Sequence, residues 1–108
     1  MLEIKQSQLC ESNGVFSNTP LPQGEVVGIW ASKSTVGRKL FQKSMKEPWC
    51  ESQVLGRYTN HSLTPNTEVF LENDNLFLRS KGIEINEEIT VDYKVLEKLT
   101  GYKPNLNF

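Results

Sequence analysis

Apolar and polar positions alternate along this chain in short stretches that read more often as strands than as helices. Gly14-Val15-Phe16-Ser17 is a brief apolar run, closed by the turn-rich Asn18-Thr19-Pro20-Leu21-Pro22-Gln23-Gly24. Glu25 to Ala31 (EVVGIWA) is rich in β-formers and predicts a buried strand, with Gly28 marking close packing or a bulge. The clearest unit is a hairpin. Thr67 to Glu72 and Leu76 to Arg79 flank Asn73-Asp74-Asn75, a turn cluster whose Asn and Asp tolerate positive φ. Glu88 to Tyr93 predicts a last short strand. Helical spacing is confined to Thr35 to Met45, through Val36, Leu40 and Phe41, and to Val95 to Thr100, which Gly101 would stop. Short strands separated by long turns predict a mainly β protein of several small sheets with one or two short helices.

With 108 residues the chain is the size of one domain. Leu, Ile, Val and Phe make up 30 of them, well above the roughly 20 % below which disorder is expected. Twelve basic and thirteen acidic residues leave a net charge of −1, so neither nucleic acid nor an anionic membrane is an expected partner. Met1 to Lys5 lacks the apolar core of a signal peptide, and no apolar run reaches the roughly 18–20 residues of a membrane span. An intracellular, by default cytoplasmic, protein with reduced thiols is expected. One histidine and two cysteines fall short of the four ligands of a structural zinc site, so no metal is expected. Cys10 or Cys50 with His61 lacks a third, orienting group and does not read as a nucleophile pair.

Charge is locally uneven. Residues 33–46 carry Lys33, Arg38, Lys39, Lys43 and Lys46 without an acid; residues 84–92 carry Glu84, Glu87, Glu88 and Asp92 without a base. Each run reads as a solvated face, and the second also as an acidic rim that would favour a basic peptide.

One constellation goes further. Arg57-Tyr58-Thr59-Asn60-His61-Ser62-Leu63-Thr64-Pro65-Asn66 is followed by the hairpin and then by Asn86-Glu87-Glu88-Ile89-Thr90-Val91-Asp92-Tyr93. These segments resemble the two C-terminal signatures of the SET-domain protein lysine methyltransferases, Arg-(Phe/Tyr)-x-Asn-His-Ser-Cys-x-Pro-Asn and Gly-Glu-Glu-(Leu/Ile)-(Thr/Phe)-x-Asp-Tyr. Ser12 to Ser17 and Pro22 to Val27 are similar to the family's N-terminal elements. The resemblance covers about residues 1–93 in the family's order, and small viral and bacterial members look most similar.

The resemblance implies a single SET domain over 1–108, β-clip-like with a C-terminal pseudoknot, a short variable insert at 32–52 and a lid segment at 94–108. It implies S-adenosyl-L-methionine as cofactor, and a lysine-bearing, histone-like or other basic protein as substrate. Asn13, Gly14, Val15, Phe16, Arg57, Tyr58, Asn60, His61 and Tyr93 would form the cofactor site. Tyr58, Val91, Tyr93 and Tyr102 would line the lysine channel, and Tyr93 would be the catalytic residue. His61 would offer its backbone, so its imidazole need not act as a base. If the protein is viral, the host cytoplasm or nucleus is its expected location.

Departures from the family pattern are informative. Leu63 replaces the zinc-binding Cys of the first signature, and residues 94–108 contain no cysteine. Tyr102, Leu106 and Phe108, or a second copy in a homodimer, would then supply the lid. Asn86 replaces Gly, and Asn is among the residues most tolerant of positive φ. Val91 stands where an aromatic residue often sets the number of methyl groups added. A non-catalytic SET-like module that binds a peptide or protein is the alternative, against which retention of Asn60, His61 and Tyr93 argues.

Overall fold

The computed structural model describes residues 2–33, 38–40, 45 and 47–102. Alternation sets the register of its larger sheet. β-strands at Thr67–Glu72 and Asn75–Ser80, β7 and β8 in chain order, pair antiparallel from Thr67 opposite Ser80 to Glu72 opposite Asn75. Asn73 and Asp74 close the turn with φ of 50° and 63°, the two left-handed residues that a tight hairpin of this twist needs. Leu76 and Leu78 point inward without exposed surface; a slip of one residue would turn both to solvent. β3 (Val26–Ser32) pairs with the other edge of β8, β5 (Trp49–Glu51) with β3, and β4 (Arg38–Leu40) with β5.

The helix expected over Thr35 to Met45 is therefore wrong at its centre. Leu40 pairs with Trp49, and both are buried; a partner strand outweighs three weakly spaced apolar residues. Residues 35–37 and 41–44 of that segment lie outside the described residues.

The smaller sheet has the order β1 (Leu2–Gln6), β2 (Asn13–Ser17), β9 (Glu88–Val91), β6 (Asn60–His61). β1 is absent from the sequence expectations because three of its five residues are polar, and even Ile4 is 42 % exposed. Such charged edges discourage pairing with other chains. β9 runs antiparallel to β2, with Val15 opposite Ile89, and parallel to β6, with Asn60 opposite Thr90 and His61 opposite Val91. Parallel strands need a long crossover, and the β7–β8 hairpin lies within this one.

Val15, Ile89 and Val91 of the smaller sheet meet Trp30, Leu76 and Leu78 of the larger one in a single core, joined by Leu55, Ile83 and Leu96. Trp30 and Trp49 are core residues. α1 (Leu55–Tyr58) lies close against the larger sheet through Gly56, where a Cβ would overlap the Trp30 carbonyl and stand 2.8 Å from Glu51 Cβ. That contact delivers the chain into Thr59-Asn60-His61.

α2 (Tyr93–Thr100) corrects a second expectation, since Tyr93 opens a helix and does not end a strand. Asp92 is the cause: its carboxylate accepts from Lys94 N at 2.9 Å, a side-chain cap that competes with continuing the strand. Gly101 ends the helix at φ 75°, its N–H reaching Glu97 O at 2.7 Å. Asn86 sits at φ 65°, as its tolerance of that region allows.

Candidate functional site

Tyr93 is positioned from three sides. Asp92 caps the helix that it opens, His61 Nδ1 accepts the Tyr93 backbone N–H at 2.9 Å, and the Tyr93 hydroxyl donates to the Thr59 carbonyl at 2.7 Å. The rings of His61 and Tyr93 lie 5.1 Å apart, tilted by 40°. A nitrogen that accepts a backbone N–H carries no proton, so the 3.9 Å approach of Asp92 Oδ1 to the same atom is not an ion pair. The imidazole thus works as a helix cap, one of the partners that the free N–H groups of a first turn require.

Burial pushes the Tyr93 phenol up from 10.0 to about 12, aided by negative charge that Cys10, Tyr102 and Glu88 would place nearby. The hydroxyl is a proton donor throughout the physiological range. Because its folded value lies above its unfolded one, its contribution to stability is complete below pH 10 and lost as pH rises toward 12. Denaturant melts between pH 9 and 12 should fall more steeply for the wild type than for Tyr93→Phe. Parallel slopes would contradict this burial.

A second cluster sits where β2, β9 and β6 adjoin. Asn60 Nδ2 donates to the Asn13 carbonyl at 3.0 Å and to Glu88 Oε2 at 2.9 Å. Ser7 Oγ lies 2.9 Å from both Glu88 oxygens, and Gln8 N donates to Oε1 at 3.2 Å. Gly14 makes the cluster possible: a Cβ there would overlap the Glu88 carboxylate and stand 3.0 Å from Asn60 Nδ2. What approaches this glycine is the carboxylate and amide of the chain itself. Glu88 is the residue that sequence reasoning placed on a rim and missed here. Its signature supplies the acid, but nothing local reveals its partners.

The other expected residues are distributed around these two clusters. Tyr58 is half-buried against the core, with the exposed Arg57 guanidinium 5.8 Å from its ring centroid. Phe16 is buried under Lys5, whose Nζ stands 4.8 Å from the ring centroid. Val15 and Val91 have no exposed surface and belong to the core, so the Val91 side chain faces core neighbours where a channel wall was expected. Tyr102 is half-buried just past α2. Leu106 and Phe108 lie outside the described residues.

The acids of residues 84–92 are largely engaged locally. Glu87 accepts from Glu84 N at 2.8 Å and from Asn66 Nδ2 at 3.2 Å, Asp92 caps α2, and Glu88 serves the cluster above. Both cysteines are free thiols, Cys10 exposed and Cys50 buried. The Ser12 hydroxyl draws the Cys10 thiol below its ordinary range. A separate apolar hollow of about 760 Å³, lined by Val27, Ile29, Cys50 and Leu55 among others, holds none of the expected site residues.

The sequence profile of the SET domain family matches residues 12–94. Among solved structures, the methyltransferase domain of human PR domain-containing protein 2 superposes with a TM-score of 0.63 at 18 % identity, over 83 % of this chain and 74 % of that one. A search of curated protein sequences finds no match.

Proposed function

The chain belongs to the SET-domain family, and we propose that it transfers a methyl group from S-adenosylmethionine to a lysine ε-amine of a protein substrate. One convergence supports this reading. The Tyr93 hydroxyl, kept protonated on the Thr59 carbonyl, stands one residue from the Asn60 amide that ties β6 to Asn13 and Glu88.

The residues present fit the cofactor. The Asn13 carbonyl and the Glu88 carboxylate would offer acceptors to an amino-acid end, and the Asn60 amide nitrogen, which donates to both, a donor. The Thr59 hydroxyl, 3 % exposed and without a hydrogen-bond partner among the described residues, belongs to the residue whose carbonyl receives the Tyr93 hydroxyl. When bound, S-adenosylmethionine supplies an electrophilic methyl group on a sulfonium.

This chain supplies position and dryness, which carry most of the catalysis in an in-line displacement. The Thr59 carbonyl and the Tyr93 hydroxyl oxygen are acceptors suited to polarised C–H groups or to the amine's own N–H. A phenol held at about 12 does not serve as an anionic base at neutral pH, so Tyr93 orients and polarises. The lysine must lose its proton before the step, which burial and a neighbouring positive charge favour.

Incubating the protein with S-adenosylmethionine and lysine-rich peptides or cell lysate should add methyl mass to lysine, read by mass spectrometry. No added methyl together with no heat of cofactor binding would refute the enzyme. Cofactor-independent peptide binding would then point to the non-catalytic module.

A further inference from the structure

The single histidine of the chain stands where one proton decides how α2 begins. The His61 side chain is only 8 % exposed, and its Nδ1 accepts the Tyr93 N–H at 2.9 Å. Asp92 Oδ1, 3.9 Å from that nitrogen, is the same oxygen that accepts Lys94 N at 2.9 Å. Both bonds at the start of α2 therefore depend on a neutral imidazole with its proton on Nε2. Protonation turns Nδ1 into a donor. It can then no longer accept from Tyr93 N, and it competes with Lys94 N for Asp92 Oδ1, since a charge-assisted contact closes to about 2.8 Å. Two N–H groups of the first turn lose or share their partners together, and the helix itself has no replacement for them. Tyr93 meets the ring from α2 and Asp92 from the β9–α2 junction. Beyond the phenol, which stays neutral, stand Cys10, Glu88 and Tyr102.

We propose that the His61 imidazole is a proton-sensitive positioning residue: neutral, it seats Tyr93 on the Thr59 carbonyl, and protonated, it releases the first turn of α2. Thr59 and His61 flank Asn60 on one segment and hold Tyr93 at two points, by its hydroxyl and by its backbone. Histidine ordinarily changes charge between about pH 5 and 8, so mild acidification takes the site from seated to released. The release is a property of the fold; its consequence for methyl transfer rests on the function proposed above.

The test is a nitrogen-15 NMR titration from about pH 8 to about pH 5, in which a single histidine makes the imidazole signals unambiguous. At the upper end Nδ1 should carry no proton and Nε2 should carry one. The Tyr93 and Lys94 amide signals should shift with the same midpoint as the imidazole, while amides of the β7–β8 hairpin stay flat. His61→Asn offers an amide oxygen near the Nδ1 position without titrating, and should abolish the Tyr93 transition. Asp92→Asn still caps the helix but removes the charge that favours imidazolium, and should move the midpoint to lower pH. In methyl transfer, the wild-type rate should fall about tenfold relative to His61→Asn across the same range; deprotonation of the substrate lysine is common to both and cancels. A proton on Nδ1 at about pH 8, a Tyr93 amide that ignores the imidazole, or a transition that persists in His61→Asn would overturn the proposal, as would a rate ratio constant with pH. If the amides follow the imidazole but neither protein transfers methyl, the release stands and the enzyme reading falls. Should His61→Asn fail to fold, the wild-type amides and the Asp92→Asn midpoint still decide.

Discussion

Replacing Tyr93 by Phe is expected to slow the proposed methyl transfer about a hundredfold while the protein still folds. The ring would keep its packing against His61 and the core, and α2 would keep both caps, because Asp92 and His61 act on backbone N–H groups. Only the hydroxyl is lost, and with it the bond that fixes the phenol on the Thr59 carbonyl. A net hydrogen bond contributes about 1 kcal/mol, which a domain of this size tolerates. The kinetic loss is larger because displacement at a methyl group is sensitive to small errors of position. Cofactor affinity measured by calorimetry should change little, and kcat should carry most of the effect. A Phe variant that turns over at the wild-type rate would remove Tyr93 from the chemistry.

The strands that alternate, and the turns whose chemistry is explicit, were legible from residues alone. Asn73-Asp74, Asn86 and Gly101 all adopt the left-handed backbone that their types favour. Arg38–Leu40 was not legible, because a three-residue strand is decided by its partner and not by its own period. Tyr93 was misplaced in a strand although the signal for a helix was present: Asp92 followed by Lys94, Val95 and Leu96 is a capped start. The site divided in the same way. Asn60, His61 and Tyr93 could be grouped from their signatures; the structure sets His61 against Tyr93 and places Asn60 in the adjoining cluster with Asn13 and Glu88. The role of Glu88 could not be grouped, since Ser7 lies 81 positions away from it and Asn60 lies 28. Three acids of one run turned out to serve a helix cap, a turn and an inward cluster. Net charge along a sequence cannot separate such uses from a solvated face.

Asn66→Ala is expected to destabilise the protein by about 3 kcal/mol, because two backbone groups of β9 lose their partner at once. β6 is only two residues long, and its pairing with β9 ends at His61 and Val91. Asn66 continues the ladder with its side chain. Its Oδ1 accepts from Thr90 N at 2.9 Å, and its Nδ2 donates to the Glu88 carbonyl at 2.8 Å. Alanine leaves both groups unpaired next to the core, where Thr90 is only 7 % exposed. The effect should extend to the site, since β9 carries Glu88 and leads directly into Asp92 and Tyr93. Urea unfolding should show a lower midpoint with an unchanged slope, and thermal melting should fall by roughly 15 °C. Asn66→Asp keeps the acceptor for Thr90 N but loses the donor and brings a second negative charge toward Glu87. It should therefore remain destabilised, with no recovery at neutral pH and partial recovery as acid protonates the new carboxyl. A loss below about 1 kcal/mol for the alanine variant would mean that β9 is held by β2 and β6 without this amide.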